Sequence, residues 1–209
     1  MVWRIIACVV LGFVFGGWNG AILISRAKMH EDVREKGSGN AGLTNFLRNY
    51  GSWWTLAVIV IDFGKTVLAC LIAVLILPDE PVLAKVIAGF GVQIGHIFPL
   101  FFNFQGGKGV LCSAAVGLML DWRIFLISIA LFFAVFFLTR YVSLASMLSM
   151  IAFAALTIVF FADQPAVWIL VTLMAAVVIF MHRSNILRLM QGGERKTYFH
   201  KYKNERENQ

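Results

Sequence analysis

Charge is scarce in this sequence. Of its 209 residues, 14% are Asp, Glu, Lys or Arg, against about 25% in a soluble globular domain. That scarcity excludes an ordinary soluble enzyme. Cysteine is rare too: Cys8, Cys70 and Cys112 all fall inside apolar blocks. They have no paired metal spacing and no disulfide framework, so they read as small buried hydrophobes. Several catalytic signatures are absent. There is no G-x-S-x-G nucleophile elbow and no HExxH zinc pair. None of His30, His96, His182 or His200 has an aspartate five residues on, which rules out the H-x4-D pair of soluble-headed glycerolipid acyltransferases. No sequence repeat is visible, and the first apolar block lacks a small-x-small cleavage site, so it reads as a retained span.

What the chain has in quantity is apolar residues, 60% of the total, in blocks near the roughly 20 residues that cross a bilayer. Spans are expected at about 3–25, 53–77, 82–102, 110–121, 123–139, 143–162 and 165–181. The fourth is short, and Asp121-Trp122-Arg123 reads as a tight turn to the fifth. The fold class is therefore all-α: a polytopic integral membrane bundle of seven helices over residues 1–191, followed by a basic tail, 192–209. The connections after spans 1, 3, 5 and 7 carry Arg26, Lys28, Arg34, Lys36, Arg48, Lys108, Arg140, Arg183 and Arg188. The opposite face carries Arg4, Lys85 and Arg123 with four acidic residues. The positive-inside bias then puts the C-terminus in the cytoplasm and the N-terminus outside. It also accounts for the net charge of +7 without nucleic acid. Gly12–Gly16 and Gly91–Gly95 match GxxxG, a helix-packing pattern common by chance.

Four polar segments break the apolar text: GSGNAGLTNFLR (37–48), GHIFPLFFNFQGGKGV (95–110), TRYVSLAS (139–146) and HRSNILRLMQGGE (182–194). Counting spans puts all four on one face, which favours a shared site over four unrelated loops. Gly106-Gly107-Lys108-Gly109 suits an anion, because glycines let backbone N–H groups approach it closely. It is not a Walker A loop, since position 102 is Phe and position 109 is Gly. A helix begun at residue 40 would align Asn40, Thr44 and Arg48 at i, i+4 and i+8; alternatively Ser38 or Asn40 simply caps it. Arg48 suits forked recognition of phosphate. His182 and Asn185 are i, i+3 neighbours at the end of span 7. His182 can take an acid–base role or donate to phosphate, or simply face solvent. Ser143 and Ser146 open span 6, where serines also bond back to their own helix. Asp62 and Lys65 lie mid-span at i, i+3, where mutual pairing accounts for them better than catalysis does.

Together these segments resemble the bacterial acyl-phosphate:glycerol-3-phosphate acyltransferases of the PlsY type. The likeness rests on GSGN-x-G-x-TN-x-x-R, GHIFP with FQGGKGV, RYVSLAS, and HR-x-NI-x-R with a following Gly and Glu. It covers residues 37–194. Departures are small: Leu43 and Leu111-Cys112 stand where the family usually has alanine and Ala-Thr, and the tail is longer. The resemblance implies a seven-span enzyme of the bacterial inner membrane with its site on the cytoplasmic face. It would pass an acyl group from acyl phosphate to the 1-hydroxyl of glycerol 3-phosphate, giving lysophosphatidic acid and phosphate without cofactor or metal. It implies that Ser38, Lys108, Ser146, His182 and Asn185 are catalytic. Gly39, Asn40, Thr44, Asn45, Arg48, Gly106, Gly107 and Gly109 would bind substrate. The implied partners are the two substrates and membrane lipid, and the basic tail offers a surface for a soluble enzyme that makes the acyl phosphate.

Phosphate is a good leaving group, so no covalent nucleophile is required. Two proton acceptors remain open: His182, or a phosphate oxygen of the substrate, toward which the family is thought to lean. The alternative function is a small anion or phosphate-ester transporter, but transporter sites usually lie near the midplane between internal repeats.

Overall fold

Inside hydrocarbon every backbone N–H and C=O must find its partner within the segment, so long apolar runs fold as helices. The computed structural model of the protein describes residues 1–198; the rest of the expected tail lies outside the described residues. Among the described residues there are ten α-helices and no strand. They are α1 (Val2–Gly16), α2 (Gly20–Ile24), α3 (Leu43–Tyr50), α4 (Ser52–Ile76), α5 (Pro81–Ile97), α6 (Val110–Leu120), α7 (Trp122–Thr139), α8 (Val142–Phe160), α9 (Pro165–Met181) and α10 (Arg183–Met190). Five helical runs are long and apolar enough to cross a membrane, and the pair α9 and α10, bent by 55°, makes a sixth. The chain is thus a multi-pass membrane protein.

The fourth expected span differs. α6 has 11 residues, a rise of only about 16 Å against a hydrocarbon core of about 30 Å. The cause is the return of the chain after α5. Asn103 and Phe104 adopt left-handed backbone at φ 56° and 55°. They turn the chain back along the end of α5, where Gly106 N donates to Ile97 O (3.0 Å) and Gly107 N to His96 O (3.1 Å). α6 therefore begins alongside the last turn of α5 rather than beyond it. A Cβ at Gly106 would lie 2.0 Å from His96 O, and one at Gly107 2.2 Å from His96 Nε2. Only glycine allows this approach.

Both GxxxG matches face each other across one contact. A Cβ at Gly12 would lie 2.1 Å from Ala88 O, and one at Gly95 2.1 Å from Phe13 O. α1 and α5 thus meet backbone to backbone. The first span is broken at Gly17–Asn19. Asn19 caps α2, accepting from Ile22 N (3.1 Å), and donates to Ala41 O (3.0 Å). The break frees the Gly16 and Trp18 carbonyls, and Lys65 Nζ donates to both, at 3.1 and 2.8 Å. Lys65 also pairs with Asp62 (2.7 Å), as their spacing leads one to expect. The Asp121 turn is present too, with the Asp121 carboxylate accepting from Arg123 N at 2.8 Å. The core lies where α6, α8 and α9 converge, around Val116, Phe153, Val171 and Met174. All three cysteines are buried free thiols.

Candidate active site

The four polar segments meet at one end of the bundle, around a single cavity of about 930 Å³. Ser38, Gly39, Asn40, Thr44, Asn45, Arg48, Gly106, Lys108, Gly109, Ser146, His182 and Asn185 all line it. Gly107 does not; it packs against the His96 ring.

The first wall is the 37–42 loop with α3. Here the local expectation needs correction. The helix starts at Leu43 behind Gly42, with no side-chain cap, so Asn40 sits before it rather than on it. Neither Ser38 nor Asn40 is the cap. Asn45 is tied into the same loop. Its Oδ1 accepts from Ser38 N (3.0 Å) and Asn49 Nδ2 (3.2 Å), while its Nδ2 donates to Val33 O and Lys36 O (both 3.0 Å). That uses both donors and both acceptor positions of the amide. Asn45 therefore shapes the loop that carries Ser38.

The second wall is the returning loop with Lys108. Gly109 precedes α6 in left-handed backbone at φ 80°, which brings Lys108 round toward α10. Its Nζ donates to Asn185 Oδ1. Burial is the main influence pulling this ammonium down to about 8; Glu194 opposes the shift, and Arg188, Arg48 and Arg183 add to it.

The third wall is the joint between α9 and α10. His182 is the residue at the bend, just past the end of the α9 span. Its Nδ1 lies 2.8 Å from Val178 O. A carbonyl only accepts, so Nδ1 carries the hydrogen, and in the neutral ring Nε2 is the acceptor.

Glu194 closes the mouth. Its carboxylate accepts from Asn185 Nδ2 (2.6 Å), Ser143 Oγ (2.7 Å) and Arg188 Nε (2.8 Å). Beyond it, Arg48 Nη2 donates to Thr197 Oγ1 (2.6 Å) and Arg195 O (3.2 Å), and Thr197 N donates to Arg140 O (3.0 Å). The start of the expected tail is thus built into the rim of the site. Among the described residues no group of three His, Cys, Asp or Glu could hold a metal.

Sequence reasoning passed over several lining residues, among them His96, Arg183, Arg188 and an apolar limb with Phe63, Phe125, Phe132 and Phe153. His96 lay inside a segment already singled out, next to the glycine loop it supports. The phenylalanines gave no signal, because they look like any lipid-facing residue until the helices are placed.

An integral-membrane helix bundle with a cationic, glycine-rich pocket opening into an apolar limb is the class of protein that handles amphiphilic anions. Comparison with known proteins narrows this class. The glycerol-3-phosphate acyltransferase family model matches residues 6–192. A glycerol-3-phosphate acyltransferase of Bacillus velezensis is 38% identical over 191 residues, covering 90% of this chain and 95% of the relative. One of Thermoanaerobacter sp. is 35% identical over 187 residues, covering 90% and 92%. Two crystal structures of PlsY, an integral membrane glycerol 3-phosphate acyltransferase, superpose closely. Its glycerol 3-phosphate form gives a TM-score of 0.85 and its lysophosphatidic acid form 0.82, each at 30% identity over 93% of this chain and 96% of that one. The chain belongs to the glycerol-3-phosphate acyltransferase family.

Proposed function

We propose that this enzyme transfers a fatty acyl group from acyl phosphate to the 1-hydroxyl of glycerol 3-phosphate, at the cytoplasmic face of the bacterial inner membrane. The products are lysophosphatidic acid and inorganic phosphate, the first acylation step of phospholipid synthesis. One observation carries this reading: the cavity is cationic at its mouth and continuous with an apolar limb inside the bundle. Such a cavity suits one water-soluble phosphate ester and one phosphorylated acyl chain at the same time.

In this reading the hydroxyl oxygen attacks the acyl carbonyl carbon, the carbon–oxygen bond to phosphate breaks, and phosphate leaves with the electron pair. Lys108 and the amides of the glycine loop offset charge on the carbonyl oxygen and the leaving phosphate; one such donor is worth about 3 kcal/mol. Arg48, Ser38 and Asn40 hold the phosphate ester. Thr44 and Ser146 complete the wall, while Asn185 and His182 align the hydroxyl, which supplies much of the remaining rate.

The proton goes to a phosphate oxygen. Two carboxylates line the cavity, and both are engaged: Asp62 with Lys65 and Glu194 with Arg188. The His182 Nδ1 hydrogen is engaged by Val178 O, which leaves Nε2 well suited to accept a hydrogen bond from the attacking hydroxyl. It orients. The seven-pass topology, cytoplasmic C-terminus and 1–191 membrane domain belong to the same proposal. So does the 192–209 tail, whose charge suits anionic lipid or a soluble enzyme that makes acyl phosphate.

The test supplies purified protein in lipid with glycerol 3-phosphate and either palmitoyl phosphate or palmitoyl-CoA, and follows lysophosphatidic acid and phosphate. Product from acyl phosphate alone, lost in Lys108→Ala and Ser38→Ala, is expected. No product from either donor overturns the reading and favours the transporter, which uptake of glycerol 3-phosphate into sealed vesicles would reveal. Loss of turnover in His182→Gln with substrate binding intact would make His182 the base.

A further inference from the structure

The apolar limb of the cavity has a definite end. α6 lines it at Val110, Leu111, Ala114 and Gly117, and none of Leu118–Leu120 takes part. At that end three helices converge on the one residue with no side chain. A Cβ added to Gly117 would lie 3.5 Å from Phe153 Cε2 on α8 and 3.9 Å from Phe125 Cα on α7. These are ordinary contact distances, so the position has room for a methyl group. Anything larger must project past it into the limb. The Phe125 ring in turn meets Phe63 of α4 edge-on, with centroids 6.1 Å apart and planes at 69°. Phe63, Phe125 and Phe153 thus form a wall around Gly117, with residues from α4, α7 and α8.

We propose that Gly117 and this phenylalanine wall are the determinant of acyl-chain length. The proposal rests on the acyl-phosphate reading above and adds to it which residues select the chain. Nine residues separate Lys108 from Gly117, about 13 Å at the helical rise. An extended chain with C–C bonds of about 1.5 Å at near-tetrahedral angles advances about 1.25 Å per carbon, so about ten carbons reach the wall. Further methylenes must pack beside the wall, in space that Gly117 leaves open. The selection is steric. A donor that arrives from the bilayer is already out of water, and lipid tails are as apolar as the limb. What distinguishes one chain from another is therefore overpacking at the wall.

The test measures kcat/KM for decanoyl, lauroyl, palmitoyl and stearoyl phosphate with the parent, Gly117→Ala, Gly117→Leu and Phe125→Ala, each checked for its unfolding temperature in lipid. Gly117→Ala should keep the parent profile. Gly117→Leu should lower palmitoyl relative to decanoyl transfer by about tenfold or more, the discrimination that a few methylenes give in a shaped pocket. Phe125→Ala should move the profile the other way, toward stearoyl. A Gly117→Leu enzyme that folds and loses all four donors in parallel overturns the proposal, as does an unchanged profile. If Gly117→Leu does not fold, the Phe125→Ala profile decides. Parent protein that transfers no acyl chain from any of the four donors sinks the donor reading itself. A parent that transfers with a profile insensitive to these positions sinks only the wall.

Discussion

The bundle holds one buried lysine, Lys65, and one half-buried, Lys108, and they do opposite things. Lys65 Nζ donates to Asp62 Oδ1 and to the Gly16 and Trp18 carbonyls, and lies 3.1 Å from His96 Nδ1. An ammonium has three hydrogens, so the chain itself saturates this one. Asp62 also accepts from Gly20 N (3.0 Å), which ties the break in the first span to α4. Lys108 has the same three hydrogens, yet among the described residues its only hydrogen-bond partner is Asn185. A charge inside a membrane protein is a functional candidate by default. This pair shows what the default leaves out. Lys65 is the more buried of the two, but among the described residues unused donors mark only Lys108.

The largest effects should come from breaking the two regions separately. Lys65→Met strands the Asp62 carboxylate and two carbonyls, and breaking a buried pair on one side costs about 3–5 kcal/mol. The unfolding temperature in detergent should fall sharply, and activity should fall only as folded protein is lost. If Lys65→Met kept its unfolding temperature and lost turnover, the saturated cluster would be part of the catalytic apparatus and the contrast would collapse. Lys108→Ala should do the reverse: about 10²–10³-fold lower kcat, the usual loss for one charge-stabilising donor, with little change in unfolding.

The contrast was partly legible in the sequence. The i, i+3 spacing of Asp62 and Lys65 pointed to local pairing, and GGKG pointed to an anion, so the two lysines were already sorted. What the spacing could not show was which group meets the carbonyls freed at Gly17–Asn19: the GGWNG run at 16–20 interrupts the apolar text there, but nothing in it points to a lysine on another helix. The convergence of the four polar segments followed from counting spans, and it survives although α6 is too short to count as an ordinary one. The chain still reverses at Asp121, so α7 returns to the same end. The Asn45 amide poses a related problem. A polar residue beside a glycine loop looks the same in sequence whether it faces a ligand or holds the loop.

A pH profile sharpens the comparison further, with a smaller effect. The free-enzyme value of about 8 for Lys108 puts its loss of charge within reach of assay. Below it the ammonium is charged and active; above it, kcat/KM should fall about tenfold per unit, as a profile that reports the free enzyme's groups does. Lys108→Arg should remove that limb up to about pH 10, because arginine stays charged. His182, which orients the hydroxyl in the proposed mechanism, should contribute no limb between 5 and 7. A rise near 6 would come from the second ionisation of the substrate phosphate, which falls at about 6, and should persist in His182→Gln.

Arg48 is a third cation, one that lines the cavity while the chain holds it. Its Nη2 donates to Thr197 Oγ1 at 2.6 Å, and Thr197 is itself buried and fixed to Arg140 by its backbone N–H. Thr197→Val keeps the shape and removes the acceptor. A hydrogen bond to a charged group is worth about 1.5 kcal/mol or somewhat more, of which the retained bond to the Arg195 carbonyl should save part. If the rim positions Arg48 for the phosphate ester, KM for glycerol 3-phosphate should rise about three- to fivefold while kcat holds, because an interaction shared by ground and transition states is lost. A fall in KM would mean the opposite: Thr197 competes with phosphate for the guanidinium, and the rim must release Arg48 before substrate binds.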